Sequence, residues 1–125
     1  MIDKLRREKM IEEIEEMTGF PVFGIDVGKD EVESNPSFFI CYTNGQIQKG
    51  EANFILQRDA VLIFFSEKEK INEYAIIKKS PSWGLSFDRA DYDYGKFGNT
   101  QKTYEIVTFY FHRPVKLECC HENRI

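Results

Sequence analysis

The sequence predicts an α+β domain: a mainly antiparallel sheet of about five strands with two helices packed on one face, in the order α-β-β-β-α-β-β. Three observations lead there. Apolar residues recur at helical spacing near the N-terminus, apolar runs of strand length lie at 37–43, 60–65 and 103–113, and Gly, Pro and Asn signals separate them. A chain of 125 residues suits one self-standing core. The expected domain spans residues 1–117, with 118–125 as a C-terminal tail.

Ile2, Leu5, Ile11, Ile14 and Met17, with Met10 on the flank, predict an amphipathic helix over 2–17. Arg6, Arg7 and Lys9 lie early and Glu12, Glu13, Glu15 and Glu16 late, against the helix macrodipole; i,i+4 pairing on a solvated face offsets this. Thr18-Gly19 closes the helix, with Gly19 suited to a left-handed position. Phe20–Ile25 reads as a short strand, and Pro21 near its start marks an edge or entry point. Residues 26–36 read as a polar loop. Gly24 to Asp30 falls short of a phosphate loop, with three residues between its glycines instead of four and Asp30 after Lys29.

Ser37–Thr43 is the next strand, carrying Phe38, Ile40 and Tyr42 on one face and Phe39, Cys41 and Thr43 on the other. Asn44-Gly45 is a turn, and the polar, glycine-broken residues after it predict a flexible loop or arm over 44–53. Ala60 to Phe65 are six apolar residues in a row, the mark of a central strand covered on both faces. Ser66 and Glu69 form a capping-box pattern, which predicts a helix from Glu67 that ends at Ser80-Pro81. Trp83, Leu85 and Phe87 alternate with smaller and polar residues as a half-buried strand that runs on to Tyr94. Residues 95–100 form a hairpin loop, and Thr103–Arg113 are the last strand, closed by Pro114.

Composition excludes several classes. Apolar content of 42% with 14% aromatic residues is that of a folding chain. No apolar run approaches the roughly 18 residues that span a bilayer, and the charged N-terminus is unlike a signal peptide, so origin in a cytoplasm is expected. Net charge of −4 opposes dedicated nucleic-acid binding. Three cysteines, two of them adjacent, imply no disulfide framework.

No catalytic site or cofactor is expected. Asp88, Asp91 and Asp93 are the best candidates for a divalent metal, but strand alternation sets Asp88 on the face opposite the other two, and pairing with Arg89 or Lys96 suits them better. Cys119, Cys120 and His121 lack the C-x2-4-C spacing of a zinc site. His112 beside Arg113 reads as a strand-end surface residue.

Three strands are apolar on both faces, yet two helices cover only one side of a sheet. The other side must be buried by folding of the sheet on itself or by another subunit. The pattern therefore points to assembly. Asn35-Pro36-Ser37-Phe38-Phe39-Ile40 after a polar loop, Arg58 leading into Val61 to Ser66, a helix, and a closing Tyr104–Phe111 strand resemble the small tail-terminator and tail-completion proteins of long-tailed bacteriophages, over roughly residues 1–117. The resemblance rests on hydrophobic pattern, without a chemical signature. It implies a ring, usually a hexamer, that caps the tail tube at the head-proximal end of the virion, stops its polymerisation and meets the head-side connector. Its partners would be other copies of itself, the tube protein and the connector, with no membrane and no specific nucleic acid, although DNA would pass through the ring. An acidic lumen would keep that DNA from sticking. In such a ring Lys49, Glu51, Arg58 and Lys96 are the expected charged interface contacts and Phe97 the apolar anchor. Two other readings are a small host-directed inhibitor and a metal-dependent enzyme using the aspartate group.

Overall fold

The longest shared ladder in the protein joins β4 (Ile55–Ser66) to β6 (Tyr104–Lys116), antiparallel over twelve residue pairs. This computed structural model describes residues 5–50, 55–96 and 103–116. Around that ladder the sheet runs β1-β2-β4-β6-β5, with β3 pairing β4 beyond the end of β2. β1 is Val22–Phe23, β2 Ser37–Tyr42, β3 Ile47–Lys49 and β5 Ser86–Gly95. Among the described strands only β1 pairs in parallel, at one edge, as Pro21 foretells. The α+β class and the mainly antiparallel sheet are as the sequence predicts.

Each face of the sheet has its own core. On one, Phe39, Leu62, Phe64, Phe109 and Phe111 are covered by Met10 and Ile14 of α1 (Arg7–Thr18), Ile76 of α3 (Glu73–Lys79) and Trp83 of a 3-10 turn (Ser80–Trp83). Met10 and Ile14 are the buried centre of the α1 stripe, while Met17 is 41% exposed. The two helices thus pack on one face as expected. On the other face Phe38, Ile40, Phe65 and Tyr104 form a smaller cluster under Val32. Phe38 stacks on Phe65 with centroids 5.1 Å apart, and Tyr104 meets both rings edge-on, the geometry that ring quadrupoles favour.

Several boundaries differ from the sequence reading. Val32 belongs to a short helix, α2 (Lys29–Glu33), where a polar loop was expected; the Glu31 carboxylate accepts from the Gly28 N–H at 3.1 Å. Ser66 is the last residue of β4 and caps no helix. Its hydroxyl donates to the Glu69 carbonyl at 2.7 Å, and the Glu69 carboxylate accepts from the Ser37 hydroxyl instead. The helix starts six residues later, where Asn72 Oδ1 accepts from the Ala75 N–H at 3.2 Å. Trp83 lies in the 3-10 turn, and Gly84, left-handed at φ 86°, turns the chain into β5. The expected loop 44–53 contains the paired strand β3. Pro114 lies inside β6 opposite Gln57. β5 reaches only to the Ser86–His112 pair, so β6 has no described neighbour on that flank at Pro114, an edge setting that tolerates proline.

Candidate interaction surfaces

Among the described residues the second sheet face is covered at one end. α2 and the Phe23–Val27 segment shelter Phe38, Ile40 and Phe65, with Ile63 and Ile106 at the rim of that cluster, while no described helix lies over the rest of the same face, formed by Tyr42, Val61 and Tyr110. Tyr42 is 43% exposed and the others are half-buried. Arg89 lies across the Tyr110 ring, its guanidinium carbon 3.9 Å from the centroid, so a cation shields one of these apolar side chains. The uncovered apolar area is therefore smaller than the sequence implies, because α2 was not foreseen.

Beyond the helices, β3 and the first half of β4 continue the sheet as an arm. Ile47 pairs with Arg58, and Lys49 with Leu56, so all four side chains share the helix-side face. Arg113 stands opposite Arg58 on the same face. Arg58 donates from Nη1 to the Gly45 carbonyl at 3.1 Å, and the buried Arg113 donates from Nη2 to Asn44 Oδ1 at 3.2 Å, so both arginines brace the Asn44-Gly45 turn. Ile47 is 51% exposed and Lys49 is exposed. Of the residues expected at an interface, Lys49 and Arg58 are thus brought together on the arm. Lys96 follows β5 at the other end of the sheet, and Glu51 and Phe97 lie outside the described residues.

That other end carries a tyrosine cluster absent from the sequence expectation. Tyr92 and Tyr94 leave the helix-side face of β5, and Tyr74 projects from α3; they are 66%, 71% and 81% exposed. Carboxylates surround them. Tyr92 Oη donates to Glu73 at 3.5 Å, and Glu105 lies opposite Tyr94 and pairs with Lys70 at 3.4 Å. Desolvation and then the Glu73 charge push the Tyr92 hydroxyl above its ordinary pKa. A signal was present in Tyr92-Asp93-Tyr94, whose alternation sets both rings on one face of a strand.

The aspartate group does not converge. A β-bulge between Phe87 and Arg89 brings Asp88 to His112, with Oδ1 2.8 Å from Nδ1. The bulge thereby corrects the expected alternation, since His112 lies on the face that carries Asp91 and Asp93. Asp91 pairs with Arg89 at 3.4 Å. Among the described residues no group of three His, Cys, Asp or Glu side chains could hold a metal ion, and no described helix is long and apolar enough to cross a membrane. A recess of about 500 Å³ forms an open groove between α1 and α3 whose walls include Glu13 and Lys79. No protein-family model matches the chain, and no curated protein matches it.

Proposed function

We propose that this chain is a structural assembly protein: a ring-forming phage tail terminator that caps the tail tube, stops its polymerisation and joins it to the head-side connector. The observation that carries the reading is the second sheet face, where Tyr42 and Val61, with Ile63 and Ile106 at the rim of the Phe38–Phe65 cluster, are partly exposed across three strands and no helix among the described residues lies above Tyr42 and Val61. Such a surface gains by burial against another protein, at roughly 25 cal/mol per Å² removed from water. The braced cationic arm supports the same reading, because it extends past the core that the helices make. The resemblance in hydrophobic pattern supplies the rest: a hexameric ring at the head-proximal end of the virion tail, made in the host cytoplasm. It contacts tube protein and connector, and DNA passes through it without sequence-specific contact. In this role the chain works by geometry and burial, with no catalytic group or cofactor.

The test is size-exclusion chromatography with light scattering on the full chain, alone and with tube protein, followed by addition to polymerising tubes. Expected results are a discrete oligomer and tubes that stop growing when it binds. Replacing the exposed Tyr42 by Lys should weaken assembly while leaving the fold intact. A chain that remains monomeric at all concentrations and ignores tube protein overturns the proposal.

A further inference from the structure

The sheet has two ends of opposite character on its helix side. From Leu56, beside Lys49, to Ser66, level with Glu105 and Tyr94, β4 runs ten residues, so at about 3.3 Å per residue the two ends lie roughly 33 Å apart. One end is the arm, where Ile47, Lys49 and Arg58 present two cations above the buried Arg113 and, among the described residues of that face, no carboxylate. The other end presents Tyr74, Tyr92 and Tyr94 among Glu73 and Glu105. The two match in chemistry as well as in sign. Tyrosine rings attract guanidinium and ammonium groups, as Arg89 over Tyr110 does within this chain. Tyrosine and arginine are also enriched at the centres of interfaces.

We propose that the tyrosine–carboxylate end of one copy receives the cationic arm of the next, head to tail. This rests on the ring reading above and adds to the Tyr42 face that the ring would bury a second, charged contact between neighbouring copies. A contact between two different patches of the same chain is heterologous, and heterologous contacts generate rings when the rotation closes. The local charge pairs present no obstacle. Lys70–Glu105 is solvent-exposed, with side chains 81% and 43% accessible, and pairs of that kind contribute little and exchange readily. The bulge at Asp88 and the charges along β5 guard this edge strand against indiscriminate pairing, which leaves recognition to the tyrosines and carboxylates. Such a contact weakens with salt, since its charges are screened over about 10 Å at 0.1 M.

The experiment is a charge exchange read by native mass spectrometry and sedimentation. Lys49→Glu and Glu73→Lys are made separately, with Tyr92→Ala/Tyr94→Ala as a third variant that changes no charge. Circular dichroism checks that each folds. Each should raise the concentration needed for half-assembly by tenfold or more. An equimolar mixture of Lys49→Glu and Glu73→Lys should recover assembly, because every contact between unlike copies again pairs opposite charges. The recovered rings should hold the two variants in equal number and alternate them, so that only even-numbered rings form. Three variants that assemble as readily as the unmodified chain overturn the assignment of these surfaces while leaving the ring standing. Two disabled charge variants that fail to complement each other overturn the head-to-tail pairing. An unmodified chain that never assembles removes the ring reading, and this inference with it.

Discussion

Trp83 offers the sharpest test of how the helix layer is fastened to the sheet. Its side chain is fully buried, and Nε1 donates to Glu13 Oε1 at 2.8 Å, tying α1 to the 3-10 turn seventy residues away. A hydrogen bond to a charged acceptor contributes roughly 1.5–3 kcal/mol when dry. Glu13 retains 22% side-chain exposure and has Lys79 3.9 Å away, so screening brings the expected value down to about 1–2 kcal/mol. Trp83→Phe removes this bond and leaves a small void, for a loss of about 2–4 kcal/mol. Glu13→Ala leaves a buried N–H without its acceptor and costs about 1–3 kcal/mol. In the Trp83→Phe background Glu13→Ala should be nearly silent, giving a coupling of the size of its single-variant cost, about 1–3 kcal/mol. Urea unfolding followed by far-UV circular dichroism reads all four corners, at one fixed protein concentration because assembly adds to stability. Strictly additive losses, within about 0.3 kcal/mol, would refute the tie.

Three further predictions follow from local chemistry. Asn72→Ala should destabilise the protein by about 1 kcal/mol through loss of the α3 cap, whereas Asn72→Asp should be nearly neutral; a silent alanine variant would return the helix start to Ser66. Burial pushes the Cys41 thiol up to about 11, against a smaller opposing pull from Arg7, so at pH 8 only about one molecule in a thousand carries the thiolate. In a Cys119→Ser/Cys120→Ser background a thiol reagent should therefore label Cys41 only upon unfolding, and rapid labelling of the native protein would contradict its place in the core. The Ser37 hydroxyl, more than any other group, holds the Glu69 carboxyl below its ordinary value of 4.5. A depressed native value gives stability that is full above pH 4.5 and lost as pH falls through the lower native value. An NMR titration should show that value rising in Ser37→Ala, and an unchanged titration would remove the contact.

The strands of the central sheet were legible because their hydrophobic code is redundant. Ala60 to Phe65 sits between two strands that are also apolar on both faces, so the three strands cover one another's apolar residues. What stayed hidden depended on contacts between distant residues. Val32 and Val27 are the two apolar residues of a polar stretch, and the Phe38–Phe65 stack beneath them adds a distant contact to the local Glu31 cap that holds α2. The Ser66–Glu69 pattern was genuine but answered to Ser37, twenty-nine residues before Ser66, rather than to a helix. The Trp83 alternation matched a strand by period alone, while Gly84 and the Glu13 carboxylate decide for a turn. At the candidate surfaces, Lys49 and Arg58 could be paired only through the β3–β4 register, which polar residues and glycine concealed. The tyrosines were visible, but not the position of α3 that gathers Tyr74 beside Tyr92.

Assembly is the claim on which the rest depends, and sedimentation equilibrium on the unmodified full chain tests it most directly. Across a roughly hundredfold range of concentration, a single closed species of several copies should appear, weaken in high salt and require a higher concentration when Tyr42 is replaced by Lys. One mass equal to a single chain throughout, with tube protein present or absent, would contradict it.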